Sequence, residues 1–400
     1  KLVLAYSGGL DTSYCLMKLS QEGYEVHAIS VNTGGFNTKD IQEMKSKALQ
    51  MGAKTYQSIN ALDTFYNKVV KYLVFGNVLK NNTYPLSVSA ERIVQAMEIV
   101  AYANKISADA IAHGCTGKGN DQVRFEVTAK ALAPQLGIIA PLREWELTTR
   151  ELEVDYAIER GIPIPITKEK PYSIDQNLWG CAIECGEMED LWAEPPDDAW
   201  RMTNDPSHAA KGSVEIVMSF ENGVPVAIDG RTMGGVELIR YLNDLAGTFG
   251  VGRIDMVENR VVGLKSREVY EAPAATLIHM AHTELERICL DRETFNYKRK
   301  LSQDYEKIIY DGTWFGPLRE CLESFLLKSQ EPVCGDVRLR VSAGLARITG
   351  RRSPYSLYDE GLATYSEGDT FDRQAAEGFM ELFGLSYRTV AQVRRRMEDS

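Results

Sequence analysis

The chain reads as an α/β protein, with a parallel-sheet domain first, an α+β region after it and a helix at the end. Two observations predict the first domain: short apolar strands alternate with helical patterns through about residue 160, and a polar, glycine-containing turn follows the first strand. A third predicts the second region, because beyond about residue 170 the alternation gives way to hairpin signals between longer helices. The boundaries fall at 1–165, 166–370 and 371–400.

Val3-Leu4-Ala5-Tyr6 is the opening strand, and Ser7-Gly8-Gly9-Leu10-Asp11-Thr12-Ser13 turns it into a helix running through Leu16 and Leu19. A strand at 26–31, a helix at 39–51 with Ile41, Met44, Ala48 and Met51 on one face, and a strand at 53–59 come next. Helices at 61–74 and 91–105, a buried strand at 108–113, a helix near 123–132, a strand at 137–140 and a helix at 149–160 complete the domain, which ends at Ile162-Pro163-Ile164-Pro165. Strands separated in this way by helices lie parallel, with both faces covered. Residues 170–198 are rich in turn formers without a clear period and read as a long functional loop or a crossover. Residues 214–220 and 224–228 flank Glu221-Asn222-Gly223 as a hairpin, and a helix carrying Leu238, Leu242 and Leu245 follows. Helices at 274–290, 305–309 and 320–328, a hairpin through 337–341 and 346–349, and a helix over 375–397 make up the rest; the last ends in Arg394-Arg395-Arg396, where its dipole favours cations.

The 400 residues carry 45 Lys+Arg against 56 Asp+Glu, a net charge of −11, and 44% are hydrophobic. That composition excludes intrinsic disorder and a mini-protein scaffold, and its acidic balance argues against a nucleic-acid partner. No apolar run reaches the ~20 residues of a membrane span, and the chain opens on a strand, so no membrane is expected and the cytoplasm is the expected location. Seven cysteines form no CxxC pair and read as reduced thiols; Cys181 and Cys185, four apart, lack a second ligand pair, so no protein metal site is expected. His279 and His282, three apart on a helix, read as packing or surface residues for the same reason.

Four clusters carry candidate chemistry. The turn at Ser7–Ser13 sits where a parallel strand hands over to a helix, so free N–H groups and the helix dipole suit an anion, and Ser7, Thr12 and Ser13 add hydroxyls. It matches neither a P-loop nor GxGxxG; a plain capped turn is the competing reading. His113-Gly114-Cys115-Thr116-Gly117-Lys118-Gly119-Asn120-Asp121-Gln122-Val123-Arg124-Phe125-Glu126 follows another buried strand, and can sort a zwitterion, Asp121 taking an ammonium and Thr116 a carboxylate. Its competing reading is a solvated loop with a helix cap at Asp121. In Tyr84-Pro85-Leu86-Ser87-Val88-Ser89-Ala90-Glu91-Arg92, Ser89 is a helix-cap candidate and Arg92 would sit in the first turn, unfavourably unless an anion lies nearby. Val257-Glu258-Asn259-Arg260 through Lys265–Glu271 reads equally as a functional segment and as a salt-bridged surface hairpin.

Ala5-Tyr6-Ser7-Gly8-Gly9-Leu10-Asp11-Thr12-Ser13 resembles the PP-loop of the N-type ATP pyrophosphatases, whose fold is the adenine nucleotide alpha hydrolase type. Together with the block from His113 to Glu126, Glu169-Lys170-Pro171-Tyr172-Ser173 and Val257-Glu258-Asn259-Arg260, the pattern resembles the argininosuccinate synthase family along the whole chain. The resemblance implies a ligase that condenses L-citrulline with L-aspartate, forming argininosuccinate, AMP and diphosphate through a citrullyl-adenylate, in L-arginine biosynthesis. By matching positions, ATP with Mg²⁺ would be held by Ala5, Tyr6, Ser7, Gly8, Gly9, Leu10, Asp11, Thr12, Ser13, Val31 and Gly114. Aspartate would be held by Thr116, Asn120 and Asp121, and citrulline by Tyr84, Ser89, Asn120, Arg124, Ser173, Ala182, Glu258 and Tyr270. Asp11, Arg92 and Asp121 would stabilise charge, and a homo-oligomer, by resemblance a tetramer, would form through the C-terminal helix, on which Phe379, Leu382, Phe383 and Leu385 are apolar.

The chain departs from that pattern at several positions. Ala182 stands where the family usually has a Ser or Thr contacting citrulline, removing a hydrogen bond worth ~0.5–1.5 kcal/mol. Val31-Asn32-Thr33-Gly34-Gly35 replaces an acidic strand end common near the adenine, and Glu268, Ala274 and Ala275 replace common glycines. These departures retune affinity, or mark another ureido or amide substrate, or leave an ATP-binding protein without turnover.

Overall fold

In the computed structural model, residues 1–143, 155, 158–159, 172–209 and 211–400 are described; the expected helix at 149–160, apart from three positions, and the motifs at 162–165 and 169–171 lie outside them. Two compact units result, Lys1–Tyr355 and Ser356–Ser400.

The first unit opens with β1 (Leu2–Ala5), α1 (Leu10–Gln21), β2 (Val26–Asn32), α2 (Thr38–Gln50) and β3 (Thr55–Asn60). Helical turns over Leu62–Phe65, Tyr66–Val70 and Lys71–Gly76 follow, the middle one a π-turn, then α5 (Ser87–Lys105), β4 (Ala110–Ala112), α6 (Asp121–Leu132) and β5 (Gly137–Ile139); Leu62–Phe65 and Lys71–Gly76 count as α3 and α4. All five strands are parallel, in the order β3-β2-β1-β4-β5. Alternation along β1 explains the layering: Leu2 and Leu4 pack with Leu16, Leu19 and Met44 on one face, whereas Val3 packs with Ile93, Val94 and Ile111 on the other. Each such fully buried aliphatic side chain contributes about 1.5–3 kcal/mol.

Two antiparallel sheets complete this unit. One takes the order β11-β12-β7-β6, from Arg253–Asn259, Lys265–Glu271, Cys181–Glu184 and Ser173–Gln176. The other takes β10-β9-β8-β13-β14, from Arg231–Thr232, Val224–Ile228, Ser213–Glu221, Gly335–Ser342 and Leu345–Arg352. Residues 172–198 are therefore not simply a loop: β6 and β7 form a hairpin there. Its first strand, Ser-Ile-Asp-Gln, is too polar to show a strand period, and Asn177 makes the turn by accepting from the N–H groups of Trp179 and Gly180. Between and after the strands run α7 (Gly235–Thr248), α8 (Pro273–Cys289), α9 (Arg292–Tyr310) and α10 (Pro317–Ser329), α9 extending well before the expected 305–309.

α5 begins earlier than the sequence suggested, so Ser89 lies inside its first turn and does not cap it. The cap is Leu86, held at φ 60 in the left-handed region, a conformation that costs a non-glycine residue about 1–2 kcal/mol and is carried here by complete burial of its side chain.

His279 and His282 are core residues rather than surface ones, and burial pushes them down to about 3 and about 4, so both are neutral. The ring nitrogens of His282 lie 2.9 Å from Asn77 Oδ1 and 2.8 Å from Gln330 Oε1, both acceptors, so the neutral ring donates to one of them, beside a buried ion pair in which Lys298 Nζ lies 2.9 Å from Glu286. Asn77 and Gln330 also donate to that carboxylate, so Glu286 is satisfied from three elements. All seven cysteines are free thiols.

In the second unit the expected single helix divides at Gly384, into Arg373–Phe383 and Leu385–Glu398, preceded by a short turn at Glu360–Ala363. Phe379 and Phe383 stack at 5.2 Å and stay exposed, as do Leu382 and Leu385.

Replacing Lys298 by Met strands the Glu286 carboxylate in the core and is expected to cost about 3–5 kcal/mol. Urea unfolding should show it, and the double variant Lys298→Met/Glu286→Gln should recover part of the loss.

Candidate active site

A cavity of about 1920 Å³ opens at the carboxyl ends of β1, β2 and β4, where an open parallel sheet places its ligands. Ala5 and Tyr6 carry β1 into it, and Ser7, Gly8, Gly9, Leu10, Asp11 and Thr12 line its floor. Gly8 sits at φ +77, and a Cβ there would lie 2.8 Å from Met44 Cγ, so only glycine lets the loop lie flat on α2. No side chain caps α1, whose first turn faces the loop, while the Ser7 and Thr12 hydroxyls lie 3.1 Å apart. Such a helix start suits an anion of several oxygens. Ser13 is the exception among the loop residues: it is buried within α1 and does not line the cavity.

The second wall follows β4. A Cβ on Gly114 would lie 3.0 Å from Thr12 Cγ2, so this glycine lets the two loops meet. His113 is buried and its proton affinity is lowered by burial; Nδ1 accepts from Cys115 N–H at 3.3 Å, leaving Nε2 to donate to Glu126. Thr116 and Lys118 line the cavity, and Asn120 is engaged at both ends of its amide, donating to Tyr310 Oη at 3.0 Å and accepting from Val261 N–H at 2.7 Å.

Charge concentrates where α5, α6 and β6 converge. Arg92 donates to Asp121 at 2.8 Å and to Glu91 at 3.2 Å, and pairs with Asp175 at 2.8 Å. Arg124 donates to the other oxygen of Asp121 at 2.8 Å and to the Tyr310 carbonyl at 3.0 Å. The anion expected near Arg92 is thus supplied by the protein's own carboxylates. Burial pushes Asp121 up, but Arg92 and Arg124 outweigh it and hold the carboxyl below its ordinary value; for Glu91 burial wins and the carboxyl is raised. Asp121 opens α6 without capping it.

The third wall is the β11-β12-β7-β6 sheet. Tyr270 stacks on Tyr84 at 3.6 Å and lies within bonding distance of both Glu258, at 3.0 Å, and Glu268, at 2.7 Å. Tyr310 donates to the other oxygen of Glu258 at 2.5 Å. Ala182 pairs with Tyr270 across the strands, and Ser173 pairs with Glu184. Arg260 joins Glu184 at 2.6 Å and reaches the Lys118 carbonyl, tying this sheet to the 113–126 loop. The 257–271 segment is therefore a salt-bridged hairpin, as its sequence allowed, and it also lines the cavity.

Every candidate residue except Ser13 lines this one cavity, Val31, Ser89, Arg124, Glu258 and Tyr270 included. Sequence reasoning does not single out Asp175, Glu184 or Tyr310. The first two lie on strands of the unrecognised hairpin, and Tyr310 ends a helix whose pattern gives no cue that its hydroxyl would reach the site. Among the described residues no group of three or more His, Cys, Asp or Glu side chains is arranged to hold a metal ion.

A parallel sheet with an open glycine loop at its ligand-binding edge, walled by an antiparallel sheet rich in paired charges, defines a nucleotide-binding α/β protein. The model for the arginosuccinate synthase N-terminal HUP domain matches residues 1–163, and that for the arginosuccinate synthase C-terminal domain matches residues 172–390. Argininosuccinate synthases of Chlorobium limicola and Chlorobium luteolum are 48% and 47% identical to it over 393 residues, 98% of each chain. That of Chlorobaculum tepidum is 47% identical over 397 residues, 99% of this chain and 98% of its own. The chain belongs to the argininosuccinate synthase family.

Removing Arg92 as Arg92→Met leaves three carboxylates facing one another and is expected to cost about 3–5 kcal/mol at neutral pH. Because Asp121 is held low in the folded state, its contribution is present above the ordinary aspartate value of about 4 and is lost as the pH falls through its folded value. The penalty measured by denaturant unfolding should therefore shrink as the pH falls below about 4.

Proposed function

We propose that the chain joins L-citrulline to L-aspartate at the expense of ATP, releasing argininosuccinate, AMP and diphosphate, in the service of L-arginine synthesis. The observation that carries this is the convergence on one cavity of an anion-binding glycine loop and two separate sets of amino-acid-sorting side chains.

Ala5 to Thr12, Val31 and Gly114 hold ATP, Gly8 and Gly9 admitting phosphate oxygens to the backbone. Mg²⁺ bound with the nucleotide would neutralise charge on the phosphates, and Asp11 on the same loop would face it. Thr116, Asn120 and Asp121 hold aspartate. The Arg92, Arg124, Asp121, Asp175 and Glu91 cluster carries two guanidiniums and three carboxylates, and an ammonium balances the excess when all are ionised. Tyr84, Ser89, Asn120, Arg124, Ser173, Ala182, Glu258 and Tyr270 form the citrulline pocket. Its ureido oxygen attacks the α-phosphorus and diphosphate leaves; the aspartate amine then attacks the ureido carbon and AMP leaves. No enzyme nucleophile is needed, since positioning and charge stabilisation supply the rate.

The domain division runs as nucleotide-binding to 165, synthetase to 370 and an oligomerising C-terminal segment beyond, with a homotetramer as the assembly. The exposed Phe379, Leu382, Phe383 and Leu385 support that role. The cytoplasm is the proposed location, and among the described residues no helix is long and apolar enough to cross a membrane.

Incubation with Mg-ATP, citrulline and aspartate should yield argininosuccinate, AMP and diphosphate in equal amounts, and only when both amino acids are present; their absence under all pairings would overturn the reading. Gly114→Val should weaken Mg-ATP binding at least tenfold, an effect of about 1.4 kcal/mol or more by titration calorimetry.

A further inference from the structure

The acceptor end of the cavity carries more negative charge than one zwitterionic amino acid requires. Glu184, Glu258 and Glu268 all line it, and Arg260 is the cation paired among them, 2.6 Å from Glu184 and 3.7 Å from Glu268. Tyr270 has one hydroxyl proton and two carboxylates within reach, Glu258 at 3.0 Å and Glu268 at 2.7 Å. One of those contacts holds only if a further proton is present. Ser266 Oγ, 3.3 Å from Glu268 Oε1, is its remaining neutral partner. Directly across the strand from Tyr270 stands Ala182, which offers neither donor nor acceptor.

Resting on the proposed reaction, we infer that Glu268 is a specificity-determining residue, which with Glu258 reads the cationic end of the ureido substrate and makes recognition depend on its ammonium more than on its carboxylate. A carboxylate brought against Glu268 meets like charge and finds no hydroxyl at position 182. An ammonium there is shared between two carboxylates and relieves their crowding. Burial, then Glu184 and Glu258, push Glu268 up to about 8, against the pull of Arg260 and the Tyr270 hydroxyl, which is the crowding such a cation relieves.

Two truncated acceptors separate the contributions: 4-ureidobutylamine keeps the ammonium and lacks the carboxylate, and 5-ureidopentanoate does the reverse. With Mg-ATP and aspartate, diphosphate release by the unaltered protein should favour the amine by at least tenfold in kcat/KM. Glu268→Gln, which keeps the shape, should reduce that preference about tenfold, mainly through KM, and Glu268→Asp should restore part of it. Calorimetry of amine binding in buffers of different ionisation enthalpy should show proton release near pH 7 that Glu268→Gln removes. An unchanged preference in a folded Glu268→Gln, or stronger use of 5-ureidopentanoate, would overturn the inference and leave the ligase intact. Failure of citrulline and both analogues to release diphosphate would instead overturn the ligase reading.

Discussion

The contact on which the site depends is the one Arg92 makes from the second turn of α5. A guanidinium has a planar fork of donors, and here it engages Asp121 at the start of α6, Asp175 on β6 and Glu91 beside it. Those partners come from the parallel-sheet domain and from the antiparallel sheet that walls it. One side chain thus ties α5 and the start of α6 to β6. A lysine, with a single ammonium, would not match three carboxylates in three directions. Asp121 is held from the other side by Arg124, so its position is determined twice.

The parallel domain was legible because its physics is local. Short strands of three to seven residues, helices with one apolar face and a glycine turn each announce themselves within a short window, and β1 to β5 with their helices lie close to where their periods put them. What escaped depended on distant partners. β6 is a strand because β7 pairs with it, not because Ser-Ile-Asp-Gln has strand character. Ser89 looked like a cap, but the backbone turns three residues earlier, at Leu86, where burial outweighs conformational preference. The break at Gly384 is a single residue in an otherwise helical pattern.

For the site, the residues in the glycine loop and the 113–126 block were readable as chemistry because polar side chains and glycines seldom crowd so densely after a buried strand unless they face a ligand. Their partners were not. Tyr310 and Glu184 acquire meaning only once Glu258 and Arg260 face them. The pair of histidines, which the sequence left as packing or surface residues, is buried in the core and neutral, with His282 beside the Glu286 and Lys298 network.

Tyr310 bonds Glu258 and Asn120, and so closes a cavity whose floor is laid down by the first dozen residues. On the ribosome, the parallel sheet has all its strands by Ile139, long before that closure becomes available. The nascent chain therefore carries a charged, half-built cleft through the synthesis of roughly half its length, at 5–20 residues per second an exposure of about 10 s or more. Over that interval the cleft lacks the acidic character of the finished one: residues 1–139 carry 14 Lys+Arg against 11 Asp+Glu, and the carboxylates of Glu184, Glu258 and Glu268 join it only as the later strands are made.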